Sequence, residues 1–254
     1  MPSIHDTAYP TLPAELTAAE LDAAFTPTPT EIRFARSQSR RTSTTVLILV
    51  QLKLLQRLGY FPMLVDVPPI VIDHVRAALR ASALSRATVK RYDASGTRSR
   101  HQKLLRGYLH IRVVDANTLK WLETLATDAA HTKVELPDII NVLIEELIRL
   151  RCELPPLASL HRMATQARSR CNEAIYRAIA DALDGSQIAR IEALFDGQGD
   201  QSGWDQLKRE PKRPAAREIG SFLKHILALR TLADGRKRSF KGVPCGSRLY
   251  PLDG

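Results

Sequence analysis

The chain has 254 residues, a hydrophobic fraction of 44% and a formal net charge of +10, which together exclude a disordered segment and indicate one or two folded domains. Three cysteines without a CxxC spacing exclude a disulfide framework and a zinc finger, and they indicate a reducing compartment. Because no N-terminal segment resembles a signal peptide and no apolar run would span a bilayer, we expect a soluble cytoplasmic protein without a membrane partner.

Charge is distributed unevenly along the chain. Residues 1–32 contain five acidic and no basic residues, and residues 33–110 contain fifteen basic residues against three acidic ones. The balance is ten basic against fourteen acidic in residues 111–200, and twelve against five in residues 201–254. The strongly basic stretch attracts polyanions, most simply a nucleic acid. A basic surface that serves only solubility is the alternative interpretation.

Helix signals follow one another from the N-terminus. Capping boxes at 17–20 and 28–31 open two short helices, of which the first ends near Phe25. A third helix begins among residues 42–45 and runs to residue 58, with Gly59 at the left-handed C-cap position. Further helices are predicted at 69–79, after Ser85, at 98–110, after Asp115, at 136–150, at 159–183, after Ser186 and at 214–233.

These signals predict an all-α fold in which several short N-terminal helices precede a longer helical bundle. The β-branched runs at 46–50 and 111–114 are strand alternatives that periodicity alone leaves open. A loop with three glycines, 197–203, is the predicted hinge. We divide the chain into an acidic N-terminal segment (1–24), a basic helical DNA-binding module (25–112), a helical bundle (113–196), a linker (197–213), a C-terminal helix (214–235) and an irregular basic tail (236–254).

No local signature of an active site is present. The sequence contains no P-loop, no GxGxxG after a strand, no HExxH, no GxSxG and no CxxC. The adjacent carboxylates Glu145 and Glu146 point about 100° apart on a helix, which is typical of a solvated face. His101 and His110 are interpreted as neighbours of a phosphate or as satisfied core groups. We therefore predict no catalytic residue, no metal ligand and no cofactor in this chain.

Two groups of basic residues are candidates for DNA binding. The first lies on the polar side of the helices predicted between 29 and 79. The second spans a short helix, a Ser-Gly turn and the next helix, whose N-terminus offers free N–H groups to a phosphate. Any single arginine is as well interpreted as an ordinary surface charge, so the hypothesis depends on the groups. Their members are Arg33, Arg36, Arg40, Arg41, Arg86, Lys90, Arg91, Arg98, Arg100, His101, Lys103 and Arg106.

Two basic stretches resemble the N-terminal region of transposases of the Tn-three family. Residues 52–62 read LKLLQRLGYFP and are followed by Val67-Pro68-Pro69 and by Ile72-Asp73-His74-Val75, close to a pattern of that family. Residues 92–111 are similar to the family's Tyr…Arg…Arg-His segment. Residues 143–176 resemble later helices of the family, and the resemblance covers roughly residues 25–235.

The resemblance implies helical N-terminal domains that bind the terminal inverted repeats of a transposon as duplex DNA. It also implies that catalysis belongs to an Asp-Asp-Glu site on a distant domain that uses Mg²⁺. We expect this chain to be the DNA-binding N-terminal fragment, which is itself not an enzyme and needs no Mg²⁺. The residues implicated by the match are Lys53, Arg57, Arg91, Arg98, Arg100, His101 and Arg106.

The resemblance stops after Gly235, and residues 236–254 show no amphipathic period. We interpret this tail as the product of a frameshift or truncation, with a natural basic arm as the alternative. Thr44 and Thr45 stand where many relatives have Asn and Arg, which affects the expected base contacts. Three alternatives stay open. The chain is a non-functional remnant, or it is an RNA-binding protein, or it is a module that docks another transposase domain or a second copy through residues 137–150. The expected location is the nucleoid of a bacterial cytoplasm.

Overall fold

The computed structural model describes residues 6–13 and 15–195, together with Ile219, Gly220, Leu223, Lys224, Ile226 and Leu227. The regular structure of these residues is helical, which confirms the all-α prediction. A 3₁₀ turn, Leu64–Asp66, interrupts the succession of α-helices. The helices are α1 (Ala18–Phe25), α2 (Pro29–Gln38), α3 (Thr42–Leu58), α4 (Pro69–Ala78), α5 (Arg86–Asp93), α6 (Gly96–Leu109), α7 (Ala116–Ala130), α8 (Leu136–Arg149), α9 (Leu157–Asp181) and α10 (Gly185–Phe195).

The helix starts follow the predicted capping chemistry with two exceptions. Both capping boxes are formed, and the serine or aspartate caps of α5, α6 and α7 accept backbone N–H groups as expected. The N-cap of α3 is Arg41, whose guanidinium has no acceptor atom and makes no capping bond, and the hydroxyl of Thr45 donates to the Arg41 carbonyl, at 3.2 Å. At α10 the carboxylate of Asp184 accepts the Gln187 N–H, at 2.9 Å, whereas the sequence predicts Ser186 as the cap.

Neither of the two segments for which a strand was the alternative forms a β-strand. Residues 46–50 lie in the middle of α3, and residues 111–114 contribute one isolated bridge, between Arg112 and Cys152. The predicted helix at 214–233, the linker, the glycine-rich hinge at 197–203 and the basic tail lie largely or wholly outside the described residues. The predicted division of the chain into functional segments stays a prediction.

The first core is built around α3, which is apolar on nearly every side from Val46 to Leu55 and is buried along that length. An α-helix that is hydrophobic all round is stable only when other helices surround it. Helices α1, α2, α4 and α6 do so, contributing among others Phe25, Ala35 and Leu105. Because each fully buried leucine, isoleucine or phenylalanine contributes about 1.5–3 kcal/mol, α3 fixes the arrangement of the basic helices.

The second core consists of α7, α8 and the beginning of α9. The apolar positions of α8 recur every three or four residues, and they are buried against Leu122 and Ala126 of α7 and Leu160 and Ala164 of α9. The apolar stripe within residues 137–150, which the sequence offers as a docking face for another protein, is therefore mostly used inside the fold. Ile148 is an exception, since 58% of its surface is exposed.

Backbone hydrogen bonds join the two cores. The N–H of Arg112 donates to the carbonyl of Arg151, and the N–H of Glu153 donates back to the carbonyl of Arg112, both at 2.8 Å. The N–H of Leu154 donates to the carbonyl of Gly59, also at 2.8 Å. Gly59 has a φ of 76°, and a Cβ there would lie 3.3 Å from the Leu154 side chain. Only glycine meets both requirements without strain.

The chain divides into two compact units, Met1–Arg168 and Ser169–Gly254, and both cores belong to the first. The described part of the second unit consists of the end of α9, α10 and six further helical residues. Within the described residues no helix combines the length and the apolar character needed to cross a bilayer.

Candidate nucleic-acid interface

The structure separates the thirteen predicted DNA-binding residues by exposure. Lys53 and His101 are buried, and Arg98 and Arg106 are half-buried. All four face inward and have protein partners, as described below. The other nine are exposed, namely Arg33, Arg36, Arg40, Arg41, Arg57, Lys90, Arg91, Arg100 and Lys103.

Lys53 lies in an internal ion pair between α2 and α3. Its Nζ is 2.8 Å from Oε2 and 3.1 Å from Oε1 of Glu31, and both side chains are less than a tenth exposed. Glu31 also accepts the Thr28 N–H, at 2.7 Å, and the side-chain amide of Gln56, at 2.8 Å. Although burial raises the pKa of Glu31, these hydrogen bonds hold it below its usual value. The structure thus places Lys53 inside the fold with an internal partner, whereas the sequence predicts it on the DNA-binding surface.

Arg98 is held in the same way, at the start of α6. Its Nε lies 3.1 Å from Oδ1 of Asp93, whose side chain is only 2% exposed. Its terminal nitrogen donates to the carbonyl oxygens of Pro62, at 2.9 Å, and Phe61, at 3.4 Å. The other carboxylate oxygen of Asp93 accepts the N–H of Val65, at 2.9 Å. Arg98 thus fastens α6 to α5 and to the segment after α3, and the structure turns it toward these internal partners.

His101 is part of a buried polar chain. The amide of Gln51 donates to the hydroxyl oxygen of Tyr92, at 2.6 Å, and that hydroxyl lies 2.7 Å from Nδ1 of His101. With its oxygen taking the amide N–H, Tyr92 has its hydroxyl hydrogen left to donate to Nδ1, which then carries no proton. Burial lowers the pKa of His101, and the charge of Arg100 lowers it further. His101 therefore connects α6 to α3 and α5 as a neutral imidazole.

This histidine predicts an acid-sensitive fold. Since the pKa of His101 in the folded chain is below its ordinary value of 6.5, the unfolded chain takes up the proton first as the pH falls. The stabilising effect is complete above about pH 6.5 and declines as the pH is lowered toward the folded-state pKa. We expect the thermal midpoint to fall between about pH 7.5 and about pH 5, and to fall less for His101→Gln. Identical pH profiles for the two proteins, measured by circular dichroism, would contradict this role.

Arg106 anchors the other end of α6. Its Nε lies 2.5 Å from Oε2 of Glu153, and its guanidinium carbon lies 5.1 Å from the centre of the Phe61 ring. The ion pair with Glu153 ties α6 to the segment that follows α8. Arg106 therefore has a role in positioning α6.

Eight of the nine exposed cations form two groups, on α6 and on the helices that contact it. The α2 group consists of Arg33 and Arg36 on α2 with Arg40 and Arg41 in the turn before α3. The α5–α6 group consists of Lys90, Arg91, Arg100 and Lys103, which Arg86 joins at the start of α5. Helix α2 lies against the C-terminal half of α6, because the rings of Phe34 and Tyr108 stack with their centres 4.1 Å apart.

Within the described part of the chain, none of the nine exposed cations forms an ion pair with a carboxylate, in contrast to Lys53, Arg98 and Arg106. Arg33 and Arg100 each donate to a threonine hydroxyl on their own helix, at 3.4 and 3.2 Å. Arg57, the ninth exposed cation, stands apart, beside Leu58 and Ile148 on an open apolar groove. The two groups therefore present uncompensated positive charge to solvent, which is the condition for binding a polyanion.

Among the described residues, no group of three or more His, Cys, Asp or Glu side chains is arranged to hold a metal ion. The buried polar residues of the first unit take part in the anchoring contacts just described or in similar internal bonds.

A comparison with known proteins relates the chain to a transposase. Over 137 residues it is 28% identical to a protein of Pseudomonas aeruginosa named "Transposase for transposon Tn501". The aligned part makes up 53% of this chain but only 14% of that transposase. The chain is thus related in sequence to a small part of a much longer protein.

Residues 1–167 match a family described as a domain of unknown function, DUF4158. The matched range nearly coincides with the first compact unit, Met1–Arg168, which contains both cores and the two groups of exposed cations. The chain therefore belongs to the DUF4158 family.

Proposed function

We propose that this chain binds duplex DNA as the N-terminal DNA-binding region of a Tn-three-family transposase, and that its targets are the terminal inverted repeats of a transposon. The observation that carries the proposal is a set of eight exposed basic side chains without carboxylate partners among the described residues, on α2, in the turn before α3, on α5 and on α6 itself. They are the α2 group together with Lys90, Arg91, Arg100 and Lys103. The sequence similarity to the Tn501 transposase also supports the proposal of a transposase-related role.

Binding of this kind depends on neutralising phosphates. A protein that contacts about six phosphates releases the condensed counterions of the duplex, so that the logarithm of its affinity falls with the logarithm of salt concentration with a slope of about −5. These contacts orient the protein on DNA without reading its sequence, and base contacts must come from side chains that enter a groove. We assign DNA binding to the described residues and no catalytic step, and on this proposal Mg²⁺ is not needed for binding.

A salt titration tests the proposal. We expect the affinity for a fluorescent random-sequence duplex, measured by anisotropy, to fall with a slope of about −5, and the slope to become smaller by about three units when Arg33, Arg36, Arg40 and Arg41 are all replaced by alanine. Replacing the exposed residues Lys120 and Lys133, which lie on or just after α7, is the matched control and should leave the slope unchanged. An affinity that does not respond to salt would exclude phosphate binding.

The inverted-repeat target is tested by selection. Sequences enriched from a random duplex library by the immobilised chain should occur as two inverted copies on either side of the gene that encodes it. Structured RNA offered as competitor at the same ionic strength should displace the duplex poorly, since the major groove of A-form RNA is too narrow for a helix. Enrichment of no sequence would reduce the proposal to non-specific DNA binding.

A further inference from the structure

The outer face of α6 differs from the rest of the basic surface. The residues of α6 that point outward are Gly96, Ser99, Arg100, Lys103, Leu104 and Gly107, followed by His110 at the C-cap. They recur every three or four positions and so form one stripe along the helix. The helix contains no acidic residue at all. The stripe therefore offers positive charge, a hydroxyl group, one apolar side chain and two positions without a side chain.

The side chains on the inner face of α6 hold the helix in place. Arg98 is bound to Asp93 and to the Pro62 carbonyl, His101 is bound to Tyr92, and Arg106 is bound to Glu153. Leu105 is completely buried against α3. These anchors occur along most of the length of α6, so its outer face is presented in one fixed orientation. A rigid element positions contacting side chains more precisely than a loop.

Gly107 is the most informative residue of the stripe. It lies inside an α-helix, where glycine is among the poorest helix formers. Packing does not explain its presence, since a Cβ built at Gly107 would find no atom within 4 Å outside its chain neighbours and the backbone of its own helix. A residue that weakens its helix and relieves no internal contact is explained if another surface approaches the helix closely at that point.

The dimensions and the neighbours of the stripe fit one occupant. From Gly96 to Gly107 the stripe is about 16 Å long at about 1.5 Å per residue. The major groove of B-form DNA is about 12 Å wide and accepts one α-helix, whose side chains then reach the base edges. The phosphates on either side of the groove would be met by the exposed cations of α5, which precedes α6 directly, and of α2, which packs on its other end through Phe34 and Tyr108.

We infer that α6 is the helix that enters the major groove, with Arg100 and Lys103 facing the DNA and Gly107 allowing the close approach of its backbone. This inference rests on the proposed function, and it adds which element makes the groove contact. Arg100 has the forked donor geometry that matches the O6 and N7 acceptors of guanine. Leu104 presents an apolar surface of the kind that contacts a thymine methyl group.

The test uses the full chain and the random-sequence duplex named above. Gly107→Gln places a long uncharged side chain on the stripe. It should leave the thermal midpoint unchanged or raise it, and it should weaken DNA binding about tenfold, which corresponds to roughly 1.4 kcal/mol. Gly107→Ala should raise the midpoint and weaken binding less. The matched control is Gly185→Gln, at a helical glycine of α10 that likewise has open space around its Cβ position.

Groove occupancy is read out separately by competition. Methyl green, which binds in the major groove, should displace the chain, whereas netropsin, which binds in the minor groove, should not. If the wild-type chain binds DNA but Gly107→Gln binds equally well, or if netropsin alone displaces the chain, the inference about α6 fails while the proposed function stands. If the wild-type chain shows no salt-dependent binding, the proposed function fails and the inference fails with it.

Discussion

Replacing Lys53 by methionine will lower the free energy of unfolding by about 3–5 kcal/mol, the loss typical of removing one partner from a buried ion pair. Methionine fills a similar volume, so the loss comes from the charge and not from a cavity. The Glu31 carboxylate would stay buried between α2 and α3 with only the Thr28 N–H and the Gln56 amide as partners. Urea unfolding followed by circular dichroism measures the difference.

A double-mutant cycle isolates the pair. Glu31→Gln alone should destabilise the chain by a similar amount, because the ammonium group of Lys53 would then be the unpaired charge. The combined variant Glu31→Gln and Lys53→Met should lose clearly less than the sum of the two single losses, since neither charge is left buried alone. Losses below about 1 kcal/mol for each single variant would mean that the pair behaves like one on the surface.

Replacing Arg98 by alanine will destabilise the chain by about 3–5 kcal/mol, for the same reason. The Asp93 carboxylate, nearly inaccessible to water, would lose its cation, and the carbonyl oxygens of Phe61 and Pro62 would lose their donor. At a temperature at which the variant is still folded, its affinity for DNA should be close to that of the wild type. The sequence alone predicts the opposite, a loss of binding to all DNA sequences.

Arg100→Ala is the matched comparison, two residues further on the same helix. Its side chain is exposed and has no carboxylate partner among the described residues, so its loss should leave stability within about 0.5 kcal/mol while weakening DNA binding. Arg98→Lys should restore only part of the stability, because a lysine cannot contact both the carboxylate and the two carbonyl groups with one planar fork. An Arg98→Ala variant as stable as the wild type and defective in DNA binding would reverse our assignment of the two residues.

The helices of the first unit are predictable because their signals are local. The capping boxes at Thr17 and Thr28 require only residues three positions apart, and a left-handed C-cap requires only Gly59. Which of the basic residues lie inside the fold is not predictable from the sequence, for a reason that is not local. Arg98 and Arg100 are alike in sequence, yet their side chains leave the helix about 200° apart, and only the packing against α3 decides which of them is inside.

The acidic partners are the groups that sequence reasoning missed. Glu31 is recognisable as the acid of a capping box, a role that it also has, but nothing nearby in the sequence indicates its bond to Lys53, 22 positions later. In the sequence, Asp93 lies just before the Ser-Gly turn that is a candidate for binding a phosphate. Glu31 and Asp93 are among the few acidic residues in or beside the basic segment 33–110. An isolated acidic residue in such a basic segment is a signal for an internal ion pair.

The motifs that carry the family resemblance describe the scaffold more than the DNA contacts. Lys53, Gln56 and Gly59 of the first motif hold the Glu31 cluster and the C-cap of α3. Tyr92, Arg98 and His101 of the second motif anchor α6. In this chain, the residues that the motifs share are therefore used mainly for internal contacts. The residues that we place against DNA, Arg100, Lys103 and Gly107, lie between or after these anchors.

The main-chain bonds at Gly59, Arg112 and Leu154 have a mechanical consequence. Contacts between side chains tolerate a small rotation of one group of helices against the other. A carbonyl and an amide that are hydrogen-bonded between the two groups allow little rotation before the hydrogen bond breaks. A torque on the basic helices thus passes directly to α7 and α8 through the polypeptide backbone.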